Sequence, residues 1–202
     1  MKINKAIFKS SSSHYQQNPS DKLPDLALIG RSNVGKSSLI NMLLDHKGLA
    51  KVSNKPGKTK LINHFLVNNT YYLVDLPGYG WARASKVDRL KWEKMVHAYL
   101  LHRRELRCVF ILLDSRLPPQ AIDLDFMHWL NKYKIFFAIV MTKADKLGTQ
   151  TMRHNLRLIQ EKLAINEPGL LRFLITSSKN RTGKQEVLNF IKEIVGPSVQ
   201  GA

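Results

Sequence analysis

Three short stretches of this chain carry residues whose types and order suit chemistry on a nucleotide. The first, GRSNVGKS at residues 30–37, fits the phosphate-loop pattern G-x-x-x-x-G-K-[ST]. In such a loop successive backbone N–H groups curl around a phosphate at a helix N-terminus, where the dipole is positive. Gly30 and Gly35 allow an approach that a Cβ would block, Lys36 brings charge to the β- and γ-phosphates, and the Ser37 hydroxyl suits Mg²⁺. Average composition yields the pattern by chance in roughly one chain of this size in a hundred, so its place between a predicted strand and helix carries weight.

The second stretch, DLPG at residues 75–78, is common as a pattern, and its value is position. Asp75 ends the predicted strand YYLVD, where it can hold a magnesium-bound water, and the Gly78 N–H can contact a γ-phosphate and reorganise when that phosphate leaves. The third, TKAD at residues 142–145, also ends a predicted strand. Asp145 can accept hydrogen bonds from guanine N1–H and N2–H₂, and adenine would leave that carboxylate unmatched. Thr142 and Lys143 would shape the loop, the lysine stem lying against base and ribose. Farther on, TSSK at residues 176–179 could offer backbone N–H groups to guanine O6. A second hydroxyl ligand for the metal must come from between Ser37 and Asp75. Thr70 sits in a predicted hairpin turn, so Thr59 is selected by elimination, with Ser53 in reserve.

These motifs need a frame to hold them. DLALIG reads as a buried strand entering the phosphate loop, and SSLINMLLDHKG as a helix stopping at Gly48. LINHFLV and YYLVD flank Asn68, Asn69 and Thr70 as a β-hairpin, and residues 87–101 have helical spacing. CVFILLD, IFFAIVMT and LRFLIT then alternate with helices over 121–132, 152–163 and 185–195. Such alternation predicts an α/β fold with a mostly parallel sheet covered on both faces. Residues 2–8 are predicted as an edge strand, and 10–22 and 197–202 as flexible. The expected organisation is one domain over 23–197, with 1–22 belonging to it and 198–202 a disordered tail.

Composition bounds the setting. The 202 residues suit one domain with a real core. The sole cysteine, Cys108, lies in an apolar run and reads as a buried hydrophobe, which fits a reducing, cytoplasmic location. No apolar run approaches a membrane span and the start is no secretory signal, so no stable membrane association is expected. The seven histidines form no ligand-spaced cluster, and Asp123 and Asp125 read as first-turn partners of a helix dipole. Thirty-two Lys and Arg against 15 Asp and Glu give a net charge of +17, which attracts polyanions, nucleic acid before membrane.

GRSNVGKSSLIN, PGKT, DLPGYGWA, DSRLPP and TKADKL together resemble the EngB (YihA/YsxC) family of bacterial GTPases, within the Era-like group, over about residues 2–195. That resemblance implies a Ras-like G domain, three layers α/β/α with a mixed, mostly parallel six-stranded sheet. It implies GTP and GDP as ligands with Mg²⁺, slow hydrolysis, association of a monomer with the large ribosomal subunit during its assembly, and a link to division and septation. Carried onto this chain, the nucleotide contacts are Gly30, Arg31, Ser32, Asn33, Val34, Gly35, Lys36 and Ser37 in the phosphate loop. Gly57, Lys58, Thr59, Lys60 and Leu61 follow in the first switch, and Asp75, Leu76, Pro77 and Gly78 in the second. Thr142, Lys143, Ala144, Asp145, Thr176, Ser177 and Ser178 surround the base. The metal takes Ser37 and Thr59, and the catalytic residues are Lys36, Thr59 and Asn33, since relatives with Asn at that place can use K⁺. Trp81 and Lys60 depart from the family pattern in the switch loops. Where a Ras-like hydrolase has a water-orienting glutamine after DxxG, this chain has Tyr79.

That substitution predicts slow unassisted turnover. It also leaves open a non-catalytic module that signals by GTP or GDP occupancy, and Asp145 argues against an ATP-dependent phosphotransferase. Lys51, Lys55, Lys58, Lys60, Arg83, Lys86 and Arg89, with Tyr79 and Trp81 among them, predict an RNA-facing surface on the switch segments.

Overall fold

The computed structural model describes residues 1–51, 61–80, 85–163 and 172–196. Among the described residues seven strands form one sheet: β1 (Ala6–Ser12), β2 (Asp25–Gly30), β3 (Ile62–Val67), β4 (Tyr71–Asp75), β5 (Leu106–Asp114), β6 (Phe137–Thr142) and β7 (Arg172–Ile175). Their order is β1-β3-β4-β2-β5-β6-β7; β1/β3 and β3/β4 are antiparallel and the other pairings parallel. The helices are α1 (Lys36–Leu43), α2 (Lys86–His102), α3 (Ala121–Lys132), α4 (Thr149–Leu163) and α5 (Lys184–Val195).

The α/β class and mixed sheet agree with the sequence, and the sheet has seven strands where the family resemblance implies six. The seventh is the N-terminal edge strand expected over 2–8, which lies at Ala6–Ser12 and pairs along β3 with a bulge between Phe8 and Ser10. Asn68 fastens it: its Oδ1 accepts from the Asn4 and Lys5 amides at 2.8 and 3.1 Å, and its Nδ2 donates to Lys2 O at 2.8 Å. Asn68 and Asn69 both have positive φ, and Thr70 N–H donates to Val67 O at 2.9 Å inside the three-residue turn that joins β3 to β4. The stretch 10–22, expected as a flexible loop, instead holds the end of β1 and a 3₁₀ turn. Ser12 is buried and bonds Asn18, Tyr72 donates to Asp21 at 2.6 Å, and Arg103 donates to Pro19 O at 2.9 Å.

Every residue of β2 is buried, the mark of a central strand covered on both faces. Its side chains alternate: Leu26 and Leu28 join the core under α1 and α5, Ala27 and Ile29 the core under α2, α3 and α4. The chain leaves β2 through α1 toward β3 on one side, whereas β5 flanks β2 on the other. The C-terminal end of β2 is therefore a topological switch point, where open parallel sheets bind ligands. Helix α1 stops at Leu43, short of Gly48, because Asp45 already takes a left-handed φ of 54° and Asn41 folds the following loop back, exchanging two bonds with Ala50.

At the opposite end of β2, buried Asp25 accepts from Tyr99 at 2.8 Å and Arg103 at 2.7 Å. Burial pushes its carboxyl up, but buried His64, with Nε2 3.6 Å away, and the bond from Arg103 hold it below the usual range.

Candidate nucleotide site

Between β2 and α1 the chain turns through Asn33 at φ 61° and Gly35 at φ 108°. A Cβ on Gly30 would stand 2.6 Å from Leu112 O, so the loop can start against β5 only as glycine. The first turn of α1 leaves its amides without intrahelical acceptors beside a positive dipole end. The Lys36 ammonium, nine-tenths buried, pairs with the Asp75 carboxylate, which brings the phosphate-loop lysine and the DLPG aspartate together. Ser37 sits half-buried next to Lys36. A hydroxyl and a carboxylate at a phosphate site form a hard oxygen donor set that suits Mg²⁺. Among the described residues no three His, Cys, Asp or Glu side chains group as a metal site by themselves.

The DLPG segment runs on beside the phosphate loop. Leu76 N–H donates to Leu28 O at 3.0 Å and Tyr79 N–H to Gly30 O at 3.3 Å, with a parallel bridge between Arg31 and Tyr79. Pro77 is buried and Gly78 half-buried. Tyr79 departs from its predicted place on an exposed aromatic surface. Its ring leans on Phe126, centroids 5.0 Å apart, and its hydroxyl donates to Asp123 at 2.9 Å. Asp123 is on the first turn of α3 as expected, but it is 3% exposed and serves Tyr79, while Asp125 is exposed. Burial raises the Asp123 carboxyl above its ordinary range.

The base loop is joined to the phosphate loop. Thr142 Oγ1 lies 2.6 Å from Val34 O and 3.1 Å from Leu113 O. Lys143, at φ 58°, donates from Nζ to Asn33 O and to Asp114 Oδ2, both at 2.8 Å. Asp114 also accepts from Arg116; burial pushes its carboxyl up, yet these two partners outweigh it and hold the group at about 2. Asp114 and Arg116 stand in the DSRLPP stretch, but their service to Lys143 was not read from the sequence. A cavity of about 230 Å³ lies beside Arg31, Ser32, Asn33 and Lys143.

Exposed Asp145 accepts from Ser177 Oγ at 2.6 Å, and that bond leads the causes lowering its carboxyl below the usual range. Ala144 N–H donates to Thr176 O at 3.1 Å, locking the two base-side loops together. The four amides of residues 176–179 expected to face guanine O6 are not equivalent. Thr176 N–H is spent on Met141 O, Ser177 N–H on Thr182 O and Lys179 N–H on Ser177 Oγ at 3.2 Å, which leaves Ser178 as the amide without an acceptor among the described residues. Gly57, Lys58, Thr59 and Lys60 lie outside the described residues, as do Ser53, Lys55, Trp81, Arg83 and the Lys86 side chain. Leu61, Lys51 and Arg89 are exposed. Among the described residues no helix is long and apolar enough to cross a membrane.

A family model described as "50S ribosome-binding GTPase" matches residues 25–143. The "Probable GTP-binding protein EngB" of Porphyromonas gingivalis is 48% identical over 194 residues, covering 96% of each chain. That of Christiangramia forsetii is 46% identical, covering 96% of this chain and 98% of its own. Among solved structures, a "probable GTP-binding protein engB" superposes with a TM-score of 0.72 at 20% identity, over 85% of this chain and 98% of that one. Era, solved with MgGDPNP and nucleotides 1506–1542 of 16S ribosomal RNA, superposes at 0.63 with 22% identity, over 85% of this chain and 56% of its own. At those identities the structural likenesses speak for the fold, a Ras-like G domain. With its phosphate loop, its DLPG and TKAD loops at one sheet edge and relatives matched nearly end to end, this chain belongs to the EngB family of GTP-binding proteins, P-loop GTPases of the 50S ribosome-binding group.

Proposed function

We propose that this chain is a Mg²⁺-dependent GTPase switch that acts as a monomer in the cytoplasm on the large ribosomal subunit during its assembly, and that normal division and septation depend on it. One observation carries the nucleotide part: Thr142 and Lys143 bond the carbonyls of Val34 and Asn33, so the base-selecting loop and the phosphate loop form one unit. Asp145, held by Ser177, would read guanine, and Ser178 N–H would serve O6. Lys36 and the first-turn amides of α1 would stabilise charge on the β- and γ-phosphates as water attacks in line. Mg²⁺, held by Ser37 and Thr59 with Asp75 behind a water, would neutralise developing phosphate charge. Asn33 at φ 61° on the loop's outer turn is the candidate K⁺ ligand.

Tyr79 spends its hydroxyl on Asp123, which supports slow turnover without a partner and also favours the second reading, a module that signals by occupancy. Single-turnover hydrolysis with and without large ribosomal subunits separates the two. We expect a rate no faster than about 10⁻³ s⁻¹ alone, raised at least about tenfold by subunits, with K⁺ faster than Na⁺. A rate that subunits leave unchanged removes the assisted-hydrolysis reading. Co-sedimentation with large subunits should require the GTP form and fail for Lys36→Ala.

A further inference from the structure

Tyr79 joins three parts of the molecule. Its amide holds Gly30 O, its hydroxyl holds Asp123 at 2.9 Å, and it follows Gly78 directly in the chain. A carboxyl as buried as that of Asp123 needs a partner, and the Tyr79 hydroxyl is one. The other end of the DLPG segment is also tied, by Asp75 to Lys36. Only Leu76, Pro77 and Gly78 separate the two ties, and proline stiffens that span. One end cannot shift far unless the other gives way.

The β- and γ-oxygens of a triphosphate would compete with the Asp75 carboxylate, itself 4% exposed, for the one Lys36 ammonium, and Mg²⁺ would draw Asp75 toward its water. Asp75 must therefore leave the ammonium when a triphosphate binds. A diphosphate makes the smaller demand. Resting on the switch reading above, we propose that Tyr79 and Asp123 form a latch that holds the DLPG segment in its Asp75–Lys36 arrangement and opens when a triphosphate is taken up. The two are positioning residues, and neither acts on the phosphate. A latch of this kind weights the chain toward GDP, because a ligand shifts such an equilibrium by its differential affinity for the two arrangements.

The test compares the full chain with Tyr79→Phe, Asp123→Leu, their double variant and Asp123→Asn. Affinities for GDP and for a non-hydrolysable GTP analogue are measured with Mg²⁺. Tyr79→Phe keeps the ring against Phe126 and removes the hydroxyl, and should raise analogue affinity relative to GDP by about fivefold. Asp123→Leu should do the same, the double variant should do no more than either, since all remove one bond, and Asp123→Asn, which keeps an acceptor oxygen, should match wild type. An unchanged ratio in Tyr79→Phe, additive singles, or an Asn variant that behaves like the Leu variant would each overturn the latch. If Asp123→Leu does not fold, Tyr79→Phe decides. Without nucleotide, the Leu76 amide should exchange hydrogen faster in Tyr79→Phe than in wild type, and equal exchange overturns the latch independently of any ligand. A wild-type chain that binds neither guanine nucleotide while showing the faster exchange in the variant would sink the switch reading and leave the latch standing.

Discussion

Asp145 stands exposed at the rim of the sheet, and Ser177 Oγ at 2.6 Å keeps one carboxylate oxygen in place. The sequence singled out both residues, but it assigned Ser177 a backbone role. The structure gives that amide to Thr182 O and turns the hydroxyl to the carboxylate. Two consequences follow at this scale. Asp145→Asn loses the charged acceptor for two guanine donors and should weaken GDP binding by about a hundredfold or more, read by calorimetry. Ser177→Ala should cost less at neutral pH, about three- to tenfold, but it removes the leading cause of the lowered Asp145 carboxyl. With guanine read by the carboxylate, as proposed above, GDP affinity in the variant should begin to fall at a higher pH on acidification than in wild type. Identical pH profiles would show that Ser177 does not tune the group.

Among elements, the strand ends were legible and the ties between them were not. β2 and β4 fall on the predicted DLALIG and YYLVD, because buried apolar runs bounded by turns leave little freedom. α1 ended early because Asn41 reaches Ala50, a contact that periodicity does not encode. Asp114 at the end of β5 is such a tie, bonding Lys143 just beyond β6. Its carboxyl is held at about 2 against an ordinary 3.8, so its contribution to stability is complete above the unfolded value and is lost as pH falls through about 2. Asp114→Asn should be less stable than wild type near neutrality, by about 1 kcal/mol after solvent screening. Urea unfolding should show that gap narrowing between about pH 5 and about pH 2. A gap that stays constant across that range would mean that the ion pairs contribute nothing to the fold.

For the whole molecule, a net charge of +17 acts at long range and needs no particular fold. Association with large ribosomal subunits should weaken steeply with KCl, log affinity falling linearly with log salt by several units of slope. Salt-independent sedimentation would remove the electrostatic part. The aromatic part of the predicted RNA surface is reduced, because Tyr79 packs inward on Phe126. Edge strand β1 closes the sheet at seven strands, with exposed Ile7 and Phe8 set between Lys5 and Lys9, charges that discourage pairing with another edge.

The sequence by itself determined the phosphate-loop, DLPG and TKAD motifs, their order and the α/β class. Each of these is written in contiguous residues or in a short period, and backbone geometry translates such patterns locally. Only the tertiary structure decided how the motifs support one another. Thr142 meets Val34 across 108 residues, Lys143 meets Asn33 across 110, and Tyr79 meets Asp123 across 44. Contacts at those separations depend on which strands become neighbours and on where each side chain finds a partner once water is excluded. The residue after DLPG shows the division best: its identity spoke of slow hydrolysis, and its position showed what the tyrosine holds instead.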